Sequence, residues 1–546
     1  MINKMKFLPI LFALASASHA QETRPNVLLI VADDMGFSDI GPFGGEISTP
    51  ALDALAKEGL RLTNFHALAS CSPSRSVLLS GMDNHRAGLG TMSEMMSPET
   101  KRLPGYEGYL NHRVAALPEV LQANGYKTYM VGKWHLGEEE KELPDARGFD
   151  DTFVLIEGGG SHWADEKWVT PTVPMNYSRN GDEVESLPDD FYSTKNYTDE
   201  LIAWLERDQE NDQPFFAYLS YTAPHDPLHA PDDYIAKYND VYDGGWDVLR
   251  ETRLQKLKEL GIVDENAEPF PRLSNVAAWT EMSAEDQALA ARDMEVYAAM
   301  VDYMDEQIKR VFDELKESGK YENTIILFMS DNGANGSSLE DYPGQTLEYI
   351  ETFDNSLENR GLQNSLIDMG PGWAQASMTP SRMFKGFTAE GGIRSPLLVK
   401  MPGKMPTADG INGSFLHIRD IMPTILEATG IEQPKDQFQG RSVQPIQGTS
   451  VLPLLMGQEP ETSAKNSDVG YELFGMKAYF DGDWKALWMP APFGTAEWEL
   501  YNLQNDPAEL NDLSKEHPQK LEELVARWEQ YSIENGVVDL SSNNSE

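Results

Sequence analysis

The chain has 546 residues, a formal net charge of −44 and a single cysteine. This length allows a large hydrophobic core, and one cysteine excludes a framework of internal disulfides. The negative charge opposes binding to nucleic acids and anionic membranes, and it disfavours long polyanionic substrates unless a local basic pocket offsets it. We therefore expect neither nucleic acid nor membrane as a partner.

The first twenty residues have the pattern of a secretory signal. Lys4 and Lys6 form a basic start, Phe7 to Ala15 is mostly apolar, and Ser18-His19-Ala20 offers small residues for cleavage. A buried N-terminal helix is the alternative interpretation. No later stretch reaches about 18 apolar residues, so we expect a soluble mature protein. Because an exported protein without disulfides fits a bacterial periplasm best, we predict a periplasmic or secreted enzyme with residues 1–20 removed.

Four apolar runs are each followed directly by polar residues. They are NVLLIVADDMG from Asn26, YKTYMVGKWHLG from Tyr126, PFFAYLSYTAPHDP from Pro214 and NTIILFMSDNG from Asn323. Each run is short, rich in β-branched or aromatic residues and bounded by turn formers, which is typical of a buried strand. Helical patterns lie between them, at 51–62, 116–126 and 284–319. The alternation predicts an α/β fold with a mixed, mostly parallel sheet flanked by helices.

The composition changes between Gly430 and Ser467, where Gly, Pro, Gln and Ser become frequent. Two strand-like runs follow from Gly475 and Trp498, and then a helical pattern starts at Pro518. We predict a catalytic domain over 21–440 and a smaller C-terminal α+β subdomain over 441–546, with an antiparallel sheet and a packed helix. Residues 231–282 are polar and poorly periodic, so we interpret them as an insertion near the active-site rim.

Oxygen donors follow two of the predicted strands. Asp33, Asp34, Asp331 and Asn332 supply only hard ligands, which suit Ca²⁺ or Mg²⁺. Ligands of open α/β sheets bind beyond the carboxyl ends of the strands, and three carboxylates gathered there would repel each other without a cation. Either pair alone is also typical of a helix cap or a turn, but their joint occurrence favours a metal site.

Cationic side chains are scarce in so acidic a protein. Arg75, Lys133 and Lys385 would suit an anionic substrate, although an isolated lysine is usually a solvated surface group. His135 lies two residues beyond Lys133, and with His225 it could move protons near neutral pH.

An isolated histidine is more often structural than catalytic. We interpret His85 and His229 as structural, in the core or at the surface.

Cys71 lies in LASCSPSRSVLLSG, which starts at Leu68. As a thiolate it could be a nucleophile, with a helix at 76–79 lowering the pKa of the thiol. Alternatively, it is a small buried hydrophobic residue. Neither interpretation explains the neighbouring Pro73, Ser74 and Arg75.

The run CSPSRSVLLSG resembles the signature of the type I sulfatases, Cys-x-Pro-Ser-Arg followed by Leu-x-Ser/Thr-Gly. GKWHLG is similar to the second signature of the family, and ADDMGFSD, APHDPL, SDNGA and FKGFTAEGGIRSP resemble sulfatase segments in the expected order. The resemblance covers nearly the whole mature chain and is to the bacterial arylsulfatases in particular, including the C-terminal LYNLQNDPAELNDL. It implies an alkaline-phosphatase-like fold.

The resemblance also implies a modified residue and a metal. Cys71 would be oxidised to formylglycine (3-oxoalanine) by a formylglycine-generating enzyme, which is the maturation partner. One Ca²⁺, in preference to Mg²⁺, would be bound by Asp33, Asp34, Asp331 and Asn332, with residue 71 completing its coordination.

The implied reaction is hydrolysis of small sulfate monoesters through a covalent sulfo-enzyme intermediate, with the hydrated aldehyde as nucleophile. Arg75 and Lys133 would orient the diol, and His135 would take a proton as sulfate leaves. His225 and Lys385 would hold the sulfate and protonate the leaving oxygen.

Two other functions are open on the sequence. One is a phosphonate or phosphate diester hydrolase that uses the same formylglycine. The other is a catalytically silent binder of sulfated ligands, which the joint presence of Cys71, His135 and His225 disfavours. Aryl, alkyl and sugar sulfates share the reacting centre, so the rim loops decide among them.

Overall fold

The computed structural model describes residues 24–538 apart from 102, 166, 168, 406–408 and 459–467. The predicted signal, residues 1–20, lies outside the described residues. None of the helices in the described part of the chain has both the length and the apolarity that a membrane crossing requires.

A large mixed sheet forms the centre of the molecule. Its strands are β1 (Asn26–Ala32), β2 (Leu60–His66), β3 (Lys127–Lys133), β4 (Asp151–Leu155), β5 (Tyr177–Arg179), β6 (Asp182–Glu183), β7 (Phe215–Ser220), β8 (Thr324–Ser330), β9 (Arg394–Lys400), β10 (Gly410–Asn412) and β11 (Leu416–His417). They lie in the order β10-β2-β9-β8-β1-β7-β3-β4-β5-β6, and β11 also pairs with β2. The two short strands β12 (Gln437–Phe438) and β13 (Arg441–Ser442) pair separately.

The four apolar runs form the adjacent strands β8, β1, β7 and β3, which are mutually parallel. All seven residues of β1 and of β8 are buried, as expected for strands covered on both faces. The other strands add antiparallel pairs at β2/β9, β8/β9, β4/β5 and β5/β6. The predicted mixed, mostly parallel sheet is therefore confirmed.

Helices cover the sheet and join its strands. They are α1 (Pro50–Glu58), α2 (Cys71–Ser80), α3 (Asn84–Ala87), α4 (Leu117–Ala123), α5 (Ser193–Arg207), α6 (Asp232–Ile235), α7 (Gly245–Glu259), α8 (Ala284–Glu317), α9 (Leu347–Ile350), α10 (Gly370–Ser377), α11 (Glu390–Ile393), α12 (Ile421–Ala428), α13 (Leu452–Leu455) and α14 (Pro518–Asn535). The longest, α8, begins after Ser283, whose side chain accepts a hydrogen bond from the Asp286 backbone N–H.

The helical pattern predicted over 51–62 is wrong at its end. Helix α1 stops at Glu58 and β2 begins at Leu60. Gly59 has extended backbone, with φ −116° and ψ −153°, and an added Cβ there would lie 2.4 Å from the carbonyl oxygen of Val399 in β9. The close approach of β9 therefore ends the helix and starts the strand pairing.

Residues 231–282 contain a helix that their poor periodicity did not predict. Arg253, in the middle of α7, is fully buried and pairs with Asp39 and Glu46 in the segment that follows β1. The buried face of α7 also carries Trp246, Leu249, Leu254 and Leu257. Because an arginine lies on this face, the apolar spacing that marks a helix is interrupted.

The C-terminal part has the predicted antiparallel sheet and packed helix. Strands β14 (Val469–Leu473), β15 (Met476–Asp481), β16 (Trp484–Trp488) and β17 (Trp498–Asn502) pair in sequence order. Helix α14 buries Leu524 and Trp528, and the Trp528 indole N–H donates to the carbonyl oxygen of Tyr471 at 2.9 Å. The boundary between 440 and 441 stays a prediction.

Candidate active site

The predicted site residues after β1, β3, β7 and β8 lie at one edge of the sheet. These four strands are parallel neighbours, so their carboxyl ends meet there. Asp33 and Asp34 follow β1, His225 follows β7, and Asp331 and Asn332 follow β8. The topology thus gathers side chains that are up to about 300 positions apart in the chain.

The segment after β1 turns sharply at Asp34. Asp34 has a positive φ of 63°, a left-handed conformation that aspartate tolerates better than most residues. Its backbone N–H donates to Asp331 Oδ1 at 3.2 Å, and the Asp33 N–H donates to the carbonyl oxygen of Ala223 at 3.1 Å. These bonds hold both consecutive carboxylates at the sheet edge, where they are buried.

Cys71 is the first residue of α2, not a residue that precedes a helix at 76–79. Its side chain is buried, and its Sγ lies 3.5 Å from Asp34 Oδ1. Burial and the charge of Asp34 raise the pKa of the thiol well above its ordinary value, outweighing Lys133 and Lys385. The expectation that the helix lowers this pKa is therefore wrong: among the side chains around Cys71, burial and Asp34 favour the neutral thiol.

Each of the three carboxylates contacts a cationic side chain. The contacts are Lys133 Nζ to Asp33 Oδ2 at 2.7 Å, Lys385 Nζ to Asp34 Oδ2 at 2.6 Å and Arg75 Nη2 to Asp331 Oδ2 at 2.8 Å. The repulsion that was expected to require a cation is thus already relieved by side chains. These three negative and three positive charges cancel, so a bound divalent ion would leave the site positive.

The charges divide the carboxylates into two kinds. Burial raises the pKa of Asp33, but Lys133, His225 and Arg75 outweigh it and hold the pKa well below its ordinary value. For Asp331, burial dominates over the attraction of Arg75 and raises the pKa to about 6. Asp331 is therefore the carboxyl group of the three whose pKa is raised, whereas the pKa values of Asp33 and Asp34 are lowered.

The donor set fits a hard cation. Ligand atoms of Asp33, Asp34, Cys71 and His225 lie within 4.8 Å of one another. Asn332 Nδ2 donates to Asp34 Oδ1 at 2.6 Å, while its own Oδ1 is buried and has no hydrogen-bond partner among the described residues. An unsatisfied buried oxygen beside two carboxylates is the kind of ligand that Ca²⁺ and Mg²⁺ take.

Arg75 connects the two acidic strand ends. Its Nη2 lies 3.4 Å from Asp33 Oδ1 as well as 2.8 Å from Asp331, and its Nη1 donates to the carbonyl oxygen of Lys133 at 3.2 Å. Nη1 also donates to Ser220, a residue that the sequence did not single out. Because the guanidinium of Arg75 is fully buried and contacts all of these partners, its position is fixed.

His225 is held as a neutral ring. Its Nδ1–H donates to the carbonyl oxygen of Asp226 at 2.7 Å, which leaves the lone pair on Nε2, 3.3 Å from Lys385 Nζ and 3.4 Å from Asp34 Oδ2. Burial lowers the pKa of His225 to about 4, against the attraction of Asp34. His162 was not predicted from sequence, and its Nε2–H donates to the His225 carbonyl oxygen at 3.1 Å.

His135 lies at the edge of this cluster. Its Nε2 is 3.1 Å from Glu94 Oε1, and burial lowers its pKa even though Glu94 opposes the shift. The charges of Lys133 and Arg75 lower that pKa further. Glu94 was not predicted, because it lies in a three-residue 3-10 helix, Ser93–Met95, with no local sequence pattern.

The two histidines that we interpreted as structural have structural contacts. His85 Nδ1 lies 2.9 Å from Asp83 Oδ1, and its Nε2 lies 3.0 Å from Glu472 Oε2 in β14. The His229 Nε2–H donates to the carbonyl oxygen of Ser365 at 2.9 Å.

Family models match nearly the whole described chain. The sulfatase model covers residues 25–431. The chain belongs to the sulfatase family. A second model, the C-terminal region of N-sulphoglucosamine sulphohydrolase, covers residues 382–533. This sulfatase is therefore a sulfuric ester hydrolase, in agreement with the prediction from CSPSRSVLLSG.

Relatives support the same assignment. An uncharacterized sulfatase of Schizosaccharomyces pombe is 47% identical over 538 residues, which are 96% of this chain and 96% of the relative. An arylsulfatase of Klebsiella aerogenes is 39% identical over 442 residues, 80% of this chain and 94% of the relative. A crystal structure of Ps i-CgsB in complex with k-i-k-neocarrahexaose superposes with a TM-score of 0.66 at 24% identity, covering 94% of this chain and 93% of that one. At this level of identity, the similarity to the crystal structure is evidence for the fold alone.

Proposed function

We propose that this sulfatase hydrolyses small aryl sulfate esters with a formylglycine formed from Cys71 and a bound Ca²⁺, through a covalent sulfo-enzyme intermediate. The observation that carries the proposal is the position of Cys71, whose buried Sγ lies 3.5 Å from Asp34 within a group of side chains that could hold a metal ion. The arylsulfatase of Klebsiella aerogenes, 39% identical, supports the aryl substrates.

The modified residue would supply what the thiol lacks. A buried thiol with a raised pKa is a poor nucleophile, whereas a hydrated aldehyde offers one hydroxyl to attack sulfur and a second whose deprotonation releases sulfate. Arg75 and Lys133 are fully buried and fixed by Asp331 and Asp33, so they would orient the groups around residue 71.

Asp33, Asp34, Asp331 and Asn332, with residue 71, would hold the Ca²⁺, and Mg²⁺ is the second choice. The cation would supply a Lewis acid beside residue 71. Because the charged side chains of the site cancel, the ion would make the site net positive and favour an anionic sulfate ester over a neutral one.

Lys385 and His225 would receive the sulfate group and the leaving oxygen. The side chain of Lys385 is 12% exposed, so its ammonium can reach a ligand from solvent as well as Asp34. His225 has its Nδ1–H tied to a backbone carbonyl, so only Nε2 is free to hold or pass a proton.

We further propose export to the periplasm or outside the cell, and maturation of Cys71 by a formylglycine-generating enzyme. The apolar run in 1–20 and the Cys-x-Pro-Ser-Arg pattern at 71–75 support this.

The decisive experiment is the mass of the tryptic peptide that contains residue 71, taken from active enzyme. Replacing CH₂SH by CHO lowers the mass by about 18 Da. An active preparation with an unmodified cysteine would refute the formylglycine.

Rates on 4-nitrophenyl sulfate, sulfated sugars and phenyl phosphonate esters then assign the substrate class. We expect the aryl sulfate to be fastest; a phosphonate preference would support the diester hydrolase instead, and binding without turnover would support a silent binder.

Removing the cation tests the metal. We expect EDTA treatment to lower both activity and the melting temperature, and Ca²⁺ to restore both better than Mg²⁺, because a ligand that binds the native state stabilises it. A chelated enzyme with full activity would contradict the proposed site.

A further inference from the structure

The ring of His135 is closely packed against the backbone of the segment at 156–158. The His135 backbone has a positive φ of 55°, and its N–H donates to the carbonyl oxygen of Ile156 at 3.0 Å. The ring lies against Gly158, where an added Cβ would come within 2.6 Å of His135 Cε1. A residue with a side chain at position 158 would displace the ring, so the observed position of the His135 ring requires glycine there.

The two ring nitrogens of His135 have different surroundings. Nε2 lies 3.1 Å from Glu94 Oε1, whereas Nδ1 is buried without a hydrogen-bond partner among the described residues. The side chain of Glu94 is 35% exposed, so its carboxylate is ionised near neutral pH. An ionised carboxylate only accepts, so the proton of the neutral ring belongs on Nε2 and the lone pair on Nδ1.

The segment that carries Glu94 also contacts the start of α2. Ser70, directly before Cys71, donates from its hydroxyl to Met92 Sδ at 2.9 Å. Ser93 donates to Glu94 Oε2 at 3.0 Å, which helps to hold the carboxylate. Residues 92–94 therefore connect the backbone beside residue 71 to the ring of His135.

We propose that Glu94 is a positioning residue that fixes the Nε2–H tautomer of His135 and so leaves Nδ1 to accept a proton from residue 71. This rests on the proposed function. In the release step the remaining hydroxyl of residue 71 gives its proton to Nδ1, its electron pair forms the aldehyde C=O, and the C–O bond to sulfate breaks with the pair leaving on sulfate. Addition of water then restores the diol.

The first test reads the tautomer directly and needs no activity. Full-length protein with ¹⁵N-labelled histidine is compared by two-bond ¹H–¹⁵N correlation with Glu94→Ala, and the signals of His135 are assigned with His135→Asn. We expect a single Nε2–H tautomer in the wild type and averaged nitrogen shifts in Glu94→Ala. A wild-type Nδ1–H tautomer, or nitrogen shifts that Glu94→Ala leaves unchanged, would overturn the proposal.

The second test uses the mature, Ca²⁺-loaded enzyme and 4-nitrophenyl sulfate. We expect Glu94→Ala to lower kcat by about 10- to 100-fold and to lower KM with it, so that kcat/KM stays within about two-fold, with a burst of nitrophenol equal to the enzyme, because sulfate release alone is slowed. Glu99→Ala removes an exposed carboxylate from the same segment and is the matched control.

A higher KM at unchanged kcat would mean that Glu94 contacts substrate, and would overturn the proposal. If the wild type did not hydrolyse sulfate esters, the proposed function would fail, while the tautomer would still report what Glu94 does to His135.

Discussion

Two of the buried clusters of opposite charges in the described part of the chain differ in their access to solvent. At the sheet edge, Lys385 contacts Asp34 and its side chain keeps 12% of its exposure. Under the C-terminal sheet, Lys485 is fully buried between Glu390 Oε1 at 2.8 Å and Glu509 Oε1 at 2.7 Å. The chemistry is similar, but the side chain of Lys385 keeps contact with solvent and that of Lys485 does not.

The second cluster joins the C-terminal sheet to the large sheet. Glu390 begins α11, and its other oxygen lies 2.9 Å from His66 Nε2 in β2. Its backbone N–H donates to Glu509 Oε2 at 3.1 Å. Since Lys485 lies in β16, one ammonium group connects three separate parts of the chain. If the proposed function holds, access to solvent, rather than charge alone, separates the cluster that reacts from the one that stabilises the fold.

Replacing Cys71 should remove function and leave stability. In Cys71→Ser the proposed aldehyde cannot form, so a transferred sulfate would have no second hydroxyl to expel it. We expect steady turnover to fall by roughly three orders of magnitude or more, as for other lost nucleophiles, with a melting temperature close to wild type. Assays with 4-nitrophenyl sulfate and mass spectrometry for a sulfated enzyme check this. Sustained rapid turnover by the variant would contradict the mechanism.

Replacing Lys485, between the two sheets, should lower stability and leave function. Lys485→Met leaves Glu390 and Glu509 buried without their cation, which typically costs about 3–5 kcal/mol. Urea unfolding measures this loss. Below the transition, we expect the activity per folded molecule to be retained. A stable variant would show that the cluster does not fasten the C-terminal sheet.

The site was more predictable than this interface. Asp33, Asp331 and Lys133 follow or end short apolar strands, so a local pattern points to each, and parallel order brings them together. Lys485 and Glu509 have no such pattern, and Glu390, which contacts both, lies 95 and 119 positions away from them in the chain. The local sequence predicts the strands, whereas the pairing of side chains that are distant in the chain depends on how the two sheets pack.

The same dependence on contacts between distant parts of the chain explains why the sequence analysis misplaced the end of α1 and missed Glu94. Leu60 and Leu62 continue the helical spacing of α1, and only the approach of β9 to Gly59 shows that they form a strand. Glu94 lies 41 positions before its partner His135 and has no regular pattern around it.

His85 offers a smaller, pH-dependent change at the C-terminal contact. Burial lowers the pKa of His85, but its hydrogen bonds to Asp83 and Glu472 outweigh this and raise the pKa to about 9. The unfolded value is about 6.5, so the stabilisation is complete below about pH 6.5 and is lost as pH rises through about 9. We expect this loss to reach up to about 3 kcal/mol in urea unfolding, and His85→Asn to remove it. Equal pH dependence in both proteins would exclude this role.

The smallest loss of stability is expected at an ion pair of the same type that is more exposed to solvent. Lys520 Nζ lies 2.6 Å from Asp481 Oδ2 in the same C-terminal part, with side chains 22% and 28% exposed. Lys520→Met leaves Asp481 free to be hydrated, so the free energy of unfolding should fall by less than about 1 kcal/mol. Measured beside Lys485→Met by urea unfolding, it removes the same charge from the same subdomain. The two contacts are similarly short, at 2.8 and 2.6 Å, so an equal loss of stability in both variants would contradict a role for the exclusion of water from Lys485.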